Sequence, residues 1–109
     1  MTKTYYDPPE TLEQLQLNAQ KPKEAGYHDH HIEEQTLLER LGFSSRERNR
    51  PDNMARIPIL RHYDISGWYG TPSKDLGGLT PRQYLSDKDA TTRREVGLYA
   101  LRLFGVLKP

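Results

Sequence analysis

The chain has 109 residues, 34% of them hydrophobic, with a mean hydropathy of -0.91, a length that suits one domain with one modest core and excludes two. A formal net charge of +1 does not by itself mark a nucleic-acid binder. The absence of cysteine excludes disulfides and thiolate metal sites, and no apolar run reaches transmembrane length.

In chain order, the opening is irregular through Pro8 and Pro9 and carries no signal-peptide-like hydrophobic stretch. Thr11 and Gln14 then have capping-box spacing, and Leu12, Leu15 and Ala19 predict a short amphipathic helix. Residues 21–26 read as a linker or turn, and Tyr27 to Ile32 suits a strand. Glu34 to Leu41 is expected to be a helical turn or two, with Gly42 placed as its cap. Residues 44–53 are polar loop, with a helical turn that Ser44 and Glu47 could begin. Arg56 to Leu60 predicts a short strand, edge or bulged because Pro58 lacks an N–H, and Arg61 to Tyr69 continues as a helix. Residues 75–80 form a Gly-rich loop, in which Gly77-Gly78 is a turn because no Lys-Ser/Thr follows it as in a nucleotide-binding loop. Thr80-Pro81 starts a helix that runs to about Ser86. The last helix begins near Asp89, shows Val96, Tyr99, Ala100 and Leu103 at helical spacing, and ends at Gly105.

Charge is unevenly distributed. Residues 1–29 hold three Lys and five acids, residues 36–62 six Arg and three acids, so the middle of the chain is basic. Any metal must sit on His and oxygen ligands. A strand with His30-His31 precedes a polar loop, Asn53, a short strand and a helix bearing His62 near its start. Phosphodiester hydrolysis needs a base, a cation and a group that holds the base in the right tautomer. Neighbours on a strand point to opposite sides, so His30 and His31 suit two different jobs rather than joint ligation of one ion.

The segments Tyr27-His28-Asp29-His30-His31-Ile32-Glu33-Glu34-Gln35 and Asp52-Asn53-Met54-Ala55-Arg56-Ile57-Pro58, followed by His62 and Trp68-Tyr69, resemble the HNH (ββα-metal) nuclease superfamily. With the tail Gly77-Gly78-Leu79-Thr80-Pro81-Arg82-Gln83-Tyr84-Leu85, the chain looks like a toxin-type HNH domain found at the C-terminal end of large bacterial proteins. The resemblance covers residues 26–109 and leaves 1–25 as an N-terminal extension or linker. It implies an α+β fold: a short two-stranded antiparallel hairpin plus helix, with additional C-terminal helices. It also implies His30 and His62 as metal ligands, His31 as general base, and Asn53 as the residue that constrains the loop and orients the base. Colicin-type domains carry a further His one helical turn after the second ligand, where this chain has Ser66. One divalent ion is expected, with Mg2+ or Mn2+ favoured for such a reduced ligand set and Zn2+ or Ni2+ as alternatives.

Other residues carry weaker signals. Arg56 and Arg61 flank the motif and are the first candidates for substrate contact, ahead of Arg46, Arg48 and Arg50, although for any one Arg a solvated surface role is the better expectation. His28 and Asp29 could join the metal shell, but simple exposure or a hydrogen bond to a nearby loop is favoured. Glu34 is equally placed to support a ligating His or to stabilise a helix N-terminus. Trp68 and Tyr69 are expected to fill the core beneath the site rather than stack on bases.

The resemblance implies a monomeric endonuclease that hydrolyses DNA without sequence preference. Such domains act as antibacterial effectors, secreted or delivered into the cytoplasm of a target cell, and a cognate immunity protein neutralises them in the producer. A non-catalytic nucleic-acid or protein-binding module on the same scaffold, and an RNase, remain as alternatives.

Overall fold

The computed structural model describes residues 7–109, so the part of the irregular opening expected at residues 1–6 lies outside the described residues. The described elements are α1 (Leu12–Ala19), β1 (Tyr27–His31), α2 (Gln35–Arg40), α3 (Ser45–Arg48), β2 (Met54–Pro58), α4 (Ile59–Tyr69), α5 (Pro81–Leu85) and α6 (Ala90–Leu103). Short 3-10 turns occupy Pro51–Asn53 and Lys74–Leu76. The α+β expectation holds at the level of an antiparallel strand pair surrounded by helices. β1 and β2 pair in a register that sets His28 opposite Ile57, His30 opposite Ala55 and His31 opposite Met54.

Local chemistry explains most boundaries. Thr11 Oγ1 accepts from Gln14 N at 3.2 Å and starts α1, but the Gln14 amide donates to Asn18 at 2.9 Å, so the reciprocal half of the capping box is not made. Ser44 with Glu47 and Thr80 with Gln83 do make complete boxes, and these nucleate α3 and α5. Gly42, at φ +90°, supplies the left-handed residue just after α2 that lets Phe43 N donate back to Leu38 O at 3.0 Å.

The second strand lies two residues earlier than expected. Pro58 is its last residue, where a missing N–H costs no ladder bond, and α4 begins at Ile59 instead of Arg61. Ile59 N then donates to Gly26 O at 3.1 Å, which ties the helix start to the entry of β1.

One core unites these elements. Leu15, Ile32, Leu37, Ala55, Ile57, Ile65, Tyr69, Leu85, Ala100, Leu101, Val106 and Leu107 are buried together. Each large side chain there contributes about 1.5–3 kcal/mol relative to exposure. Leu15 comes from α1, and Glu10 joins the C-terminal segment through Glu10 N to Val106 O at 3.0 Å and Lys108 N to Glu10 O at 2.9 Å. Residues 10–19 thus pack on the same core as residues 26–109.

The inward face of α6 also differs from expectation. Arg93, Gly97, Ala100 and Leu101 are buried, whereas Tyr99 is 55% and Leu103 51% exposed. A glycine and an arginine turned inward do not register as an apolar stripe, so hydrophobic spacing alone chose a rotated face. Among the described residues, no helix is long and apolar enough to cross a membrane.

Candidate functional site

Strand alternation decides where the histidines go. His28 and His30 lie two residues apart on the face of β1 that His62 of α4 approaches, and His31 follows as the last residue of the strand. His30 is 4% exposed, and among the described residues its Nε2 has no hydrogen-bond partner. Burial, followed by neighbouring His62 and His31, pushes its pKa down to about 3, so His30 is a neutral imidazole at physiological pH. His62 reaches the same face from the first turn of α4, with its ring centroid 5.3 Å from that of His30. Its pKa is also lowered, by burial and then by His28 and His31.

His30, His31 and His62 line one cleft of about 210 Å3 together with Glu34, Ser66, Tyr69 and Arg82. Sequence order therefore brought three of the four expected residues to one cavity wall. Ser66 stands where a further helix ligand was noted as missing.

Asn53 is fully buried and plays a different part. Its Oδ1 accepts from Glu33 N at 2.8 Å, its Nδ2 donates to Arg48 O at 2.8 Å, and its backbone carbonyl accepts from Ile32 N at 2.8 Å. Those bonds clamp the base of the excursion between the two strands. The imidazole of His31 is held instead by Asn49, whose Oδ1 lies 2.7 Å from Nε2. Among the described contacts Asn53 bonds Arg48, the residue before Asn49, rather than the ring itself.

The two arginines expected at the substrate are not in the cleft. Arg56 is 5% exposed and donates to Asp29 Oδ1 at 2.9 Å, Pro22 O at 2.9 Å and Lys21 O at 2.8 Å. Residue 56 alternates with Ala55 and Ile57, which lie opposite His30 and His28, so its guanidinium points to the Asp29 side and braces the turn entering β1. Arg61 precedes His62 by one residue, about 100° around the helix. It lines a small cavity with Tyr27, Pro58 and Val106, and its Nη1 is 3.9 Å from Asp64.

Three residues in or beside the cleft were missed or undervalued in sequence. Arg82, at the second position of α5, donates from Nε to Glu34 Oε1 at 2.7 Å and from Nη2 to Glu34 Oε2. Glu34 is therefore an ion-pair partner; as the N-cap of α2 it makes no side-chain capping bond. The conjunction of Thr80-Pro81 with a following Arg was the available signal, because it starts a helix with a cation in its first turn. The Tyr69 ring is core, as expected, while its hydroxyl is buried at the cleft without a partner among the described residues, and its pKa is raised by burial and by Glu34 and Glu33.

His28 is the third. Its Nδ1 lies 2.8 Å from Nδ1 of His62, so one ring donates and the other accepts, and Nε2 of His62 is left as the nitrogen available to another partner. Exposed Tyr63 stacks beside this pair, its ring 6.4 Å from that of His62 at an interplanar angle of 18°.

Among the described residues no group of three or more His, Asp or Glu is arranged to hold a metal ion. Comparison of the chain with protein-family models, with curated proteins and with solved structures gives no match.

Proposed function

We propose that the chain is a metal-dependent endonuclease of the HNH class that hydrolyses DNA phosphodiester bonds. The observation that carries this reading is the buried, unpartnered Nε2 of His30 in a cleft shared with His62 and His31. A buried imidazole nitrogen without a partner costs about 1–3 kcal/mol unless something occupies it. A divalent cation is the occupant that neutral imidazoles suit.

The residues fit such an ion as a two-imidazole set. Ring centroids 5.3 Å apart are within reach of one ion bound by both His30 and His62. Mg2+ and Mn2+, which keep several waters, match so few protein ligands. When bound, the ion supplies positive charge that stabilises the leaving oxygen.

The remaining chemistry belongs to the chain's own side chains. His31 takes the proton of the attacking water, its ring held by Asn49. Asn53 keeps the turn after β1 closed, so that His30 and His31 stay at the cleft. Arg82 offers guanidinium donors to a phosphate oxygen, with Glu34 holding the group in place until substrate arrives.

The resemblance in the segment Gly77 to Leu85 extends the proposal to an antibacterial effector acting in the cytoplasm of a target cell and held in check by a cognate immunity protein. DNA is the favoured substrate, and cleavage is expected without sequence preference.

One experiment tests the activity. Purified protein is incubated with plasmid DNA and with labelled RNA, with Mg2+ or Mn2+ and with a chelator. Metal-dependent nicking of DNA that the chelator abolishes is the expected result, and His31→Ala should lose nicking while still binding metal. Full activity in His31→Ala would sink the assignment, and cleavage of RNA alone would replace DNA as the substrate. Expression inside bacteria tests the effector role, where wild type should arrest growth and His31→Ala should not.

A further inference from the structure

We propose that Asn49 is a positioning residue that fixes the ring of His31 with its proton on Nε2, leaving Nδ1 as the nitrogen that accepts a proton from water. The catalytic consequence rests on the reading of His31 as general base; the hydrogen bond itself does not.

An amide oxygen only accepts, so a 2.7 Å contact between Asn49 Oδ1 and His31 Nε2 requires the hydrogen on Nε2. The other end of the amide supports this orientation. Asn49 Nδ2 lies 3.3 Å from Ser45 Oγ and donates there, which turns the amide oxygen towards His31. A neutral imidazole protonated at Nε2 carries its lone pair on Nδ1.

The surrounding chain is built to hold Asn49 in place. Asn49 follows α3 directly, and its N–H donates to Ser45 O at 3.0 Å. The capping box of Ser44 and Glu47 fixes the start of this one-turn helix. Arg48 Nη1 donates to Phe43 O, and Arg48 O accepts from buried Asn53 at 2.8 Å. Every bond in this set bears on the residue next to Asn49 or on its helix. A solvent-exposed amide is ordinarily a poor anchor, because its side chain is not confined. Here its backbone is confined on both sides, so the ring of His31 meets an acceptor already in position.

Two measurements on the full chain decide the matter. Nitrogen-15 NMR with selectively labelled histidine, at a pH where the imidazoles are neutral, reports which nitrogen of His31 carries the proton and whether that N–H is protected from exchange. Wild type should show a protected Nε2–H and a bare Nδ1. Asn49→Ala should lose the protection, and Asn49→Asp, whose carboxylate accepts the same bond, should keep it.

In nicking assays Asn49→Ala should lower kcat by about 10- to 100-fold with KM within twofold, in the range of general-base contributions, and Asn49→Asp should recover most of the loss. A His31 proton on Nδ1 in the wild type, or protection and kcat both unchanged in Asn49→Ala, overturns the proposal. A wild-type chain that cleaves nothing, yet shows the protected Nε2–H lost in Asn49→Ala, overturns the nuclease reading and upholds the positioning by Asn49.

Discussion

Gly97 on α6 lies so close to Ile32 that a Cβ at position 97 would sit 2.0 Å from the Ile32 carbonyl oxygen and 2.8 Å from its carbonyl carbon. Both of those atoms are backbone, so neither can swing aside. The contact presses α6 onto the residue that directly follows His30 and His31, and so fixes where β1 ends. Gly97→Ala should destabilise the fold by about 3 kcal/mol or more, despite the roughly 1 kcal/mol that Ala gains over Gly inside a helix. Urea denaturation of the two proteins measures this directly. Equal or greater stability of the variant would show that α6 does not approach β1 so closely.

Glu33 and Arg93 form an ion pair in the interior, 2.9 Å apart, with side chains 5% and 9% exposed, and Arg50 approaches the same carboxylate at 3.2 Å. Removing only the carboxylate leaves a buried guanidinium without its counter-charge. Glu33→Leu should therefore cost about 3–5 kcal/mol. The double variant Glu33→Leu with Arg93→Leu should recover much of that loss, since it buries no unpaired charge. Thermal melts of wild type, Glu33→Leu, Arg93→Leu and the double variant check the order. If the double variant is as unstable as the sum of both single losses, the pair is not coupled.

The positions of β1, α2, α5 and the start of α6 were legible because each depends on local chemistry: a cap, a glycine after a helix, a proline at its first turn. The convergence of His30, His31 and His62 was legible from order and spacing, although that reading leaned on resemblance as well as on alternation along a strand. What sequence hid is what depends on a distant partner. Arg56 looked available for phosphate because nothing local reveals that Asp29 and the carbonyls of Lys21 and Pro22 surround it. Asn49 lay unmarked in a polar stretch, since only the folded excursion carries its amide to His31. The rotation of α6 was hidden for a similar reason, its inward face being defined by Gly97 and Arg93.

Burial of His30 makes stability depend on pH in a definite direction. Its pKa is about 3 in the folded chain and near the ordinary 6.5 when unfolded. Above pH 6.5 neither state binds the proton and the contribution to stability is complete. As the pH falls from 6.5 towards 3 the unfolded chain takes up a proton that the folded chain refuses, so stability declines by up to about 1.4 kcal/mol per pH unit. His30→Leu removes this one proton from the balance. In metal-free buffer its stability should fall less steeply than that of wild type between pH 6 and pH 4, as read from urea midpoints at each pH. Parallel slopes would mean that His30 can be protonated within the fold.

Arg82 provides the last test, because it is the cation that lines the cleft beside the three histidines. Its guanidinium is planar and already fixed by Glu34, which makes it suited to hold a phosphate oxygen in one orientation. Under the proposed activity, Arg82→Ala should lower kcat/KM for plasmid nicking by about 100-fold, the scale of one charged transition-state contact. Arg82→Lys should recover only a small part, since an ammonium cannot reproduce the two-pronged geometry. Glu34→Gln separates structure from catalysis. It removes the charge partner while leaving Arg82 present, so it should affect the melting temperature about as much as Arg82→Ala does but retain far more activity. Equal loss of activity in Glu34→Gln and Arg82→Ala would assign the pair a purely structural role in holding α5 against α2.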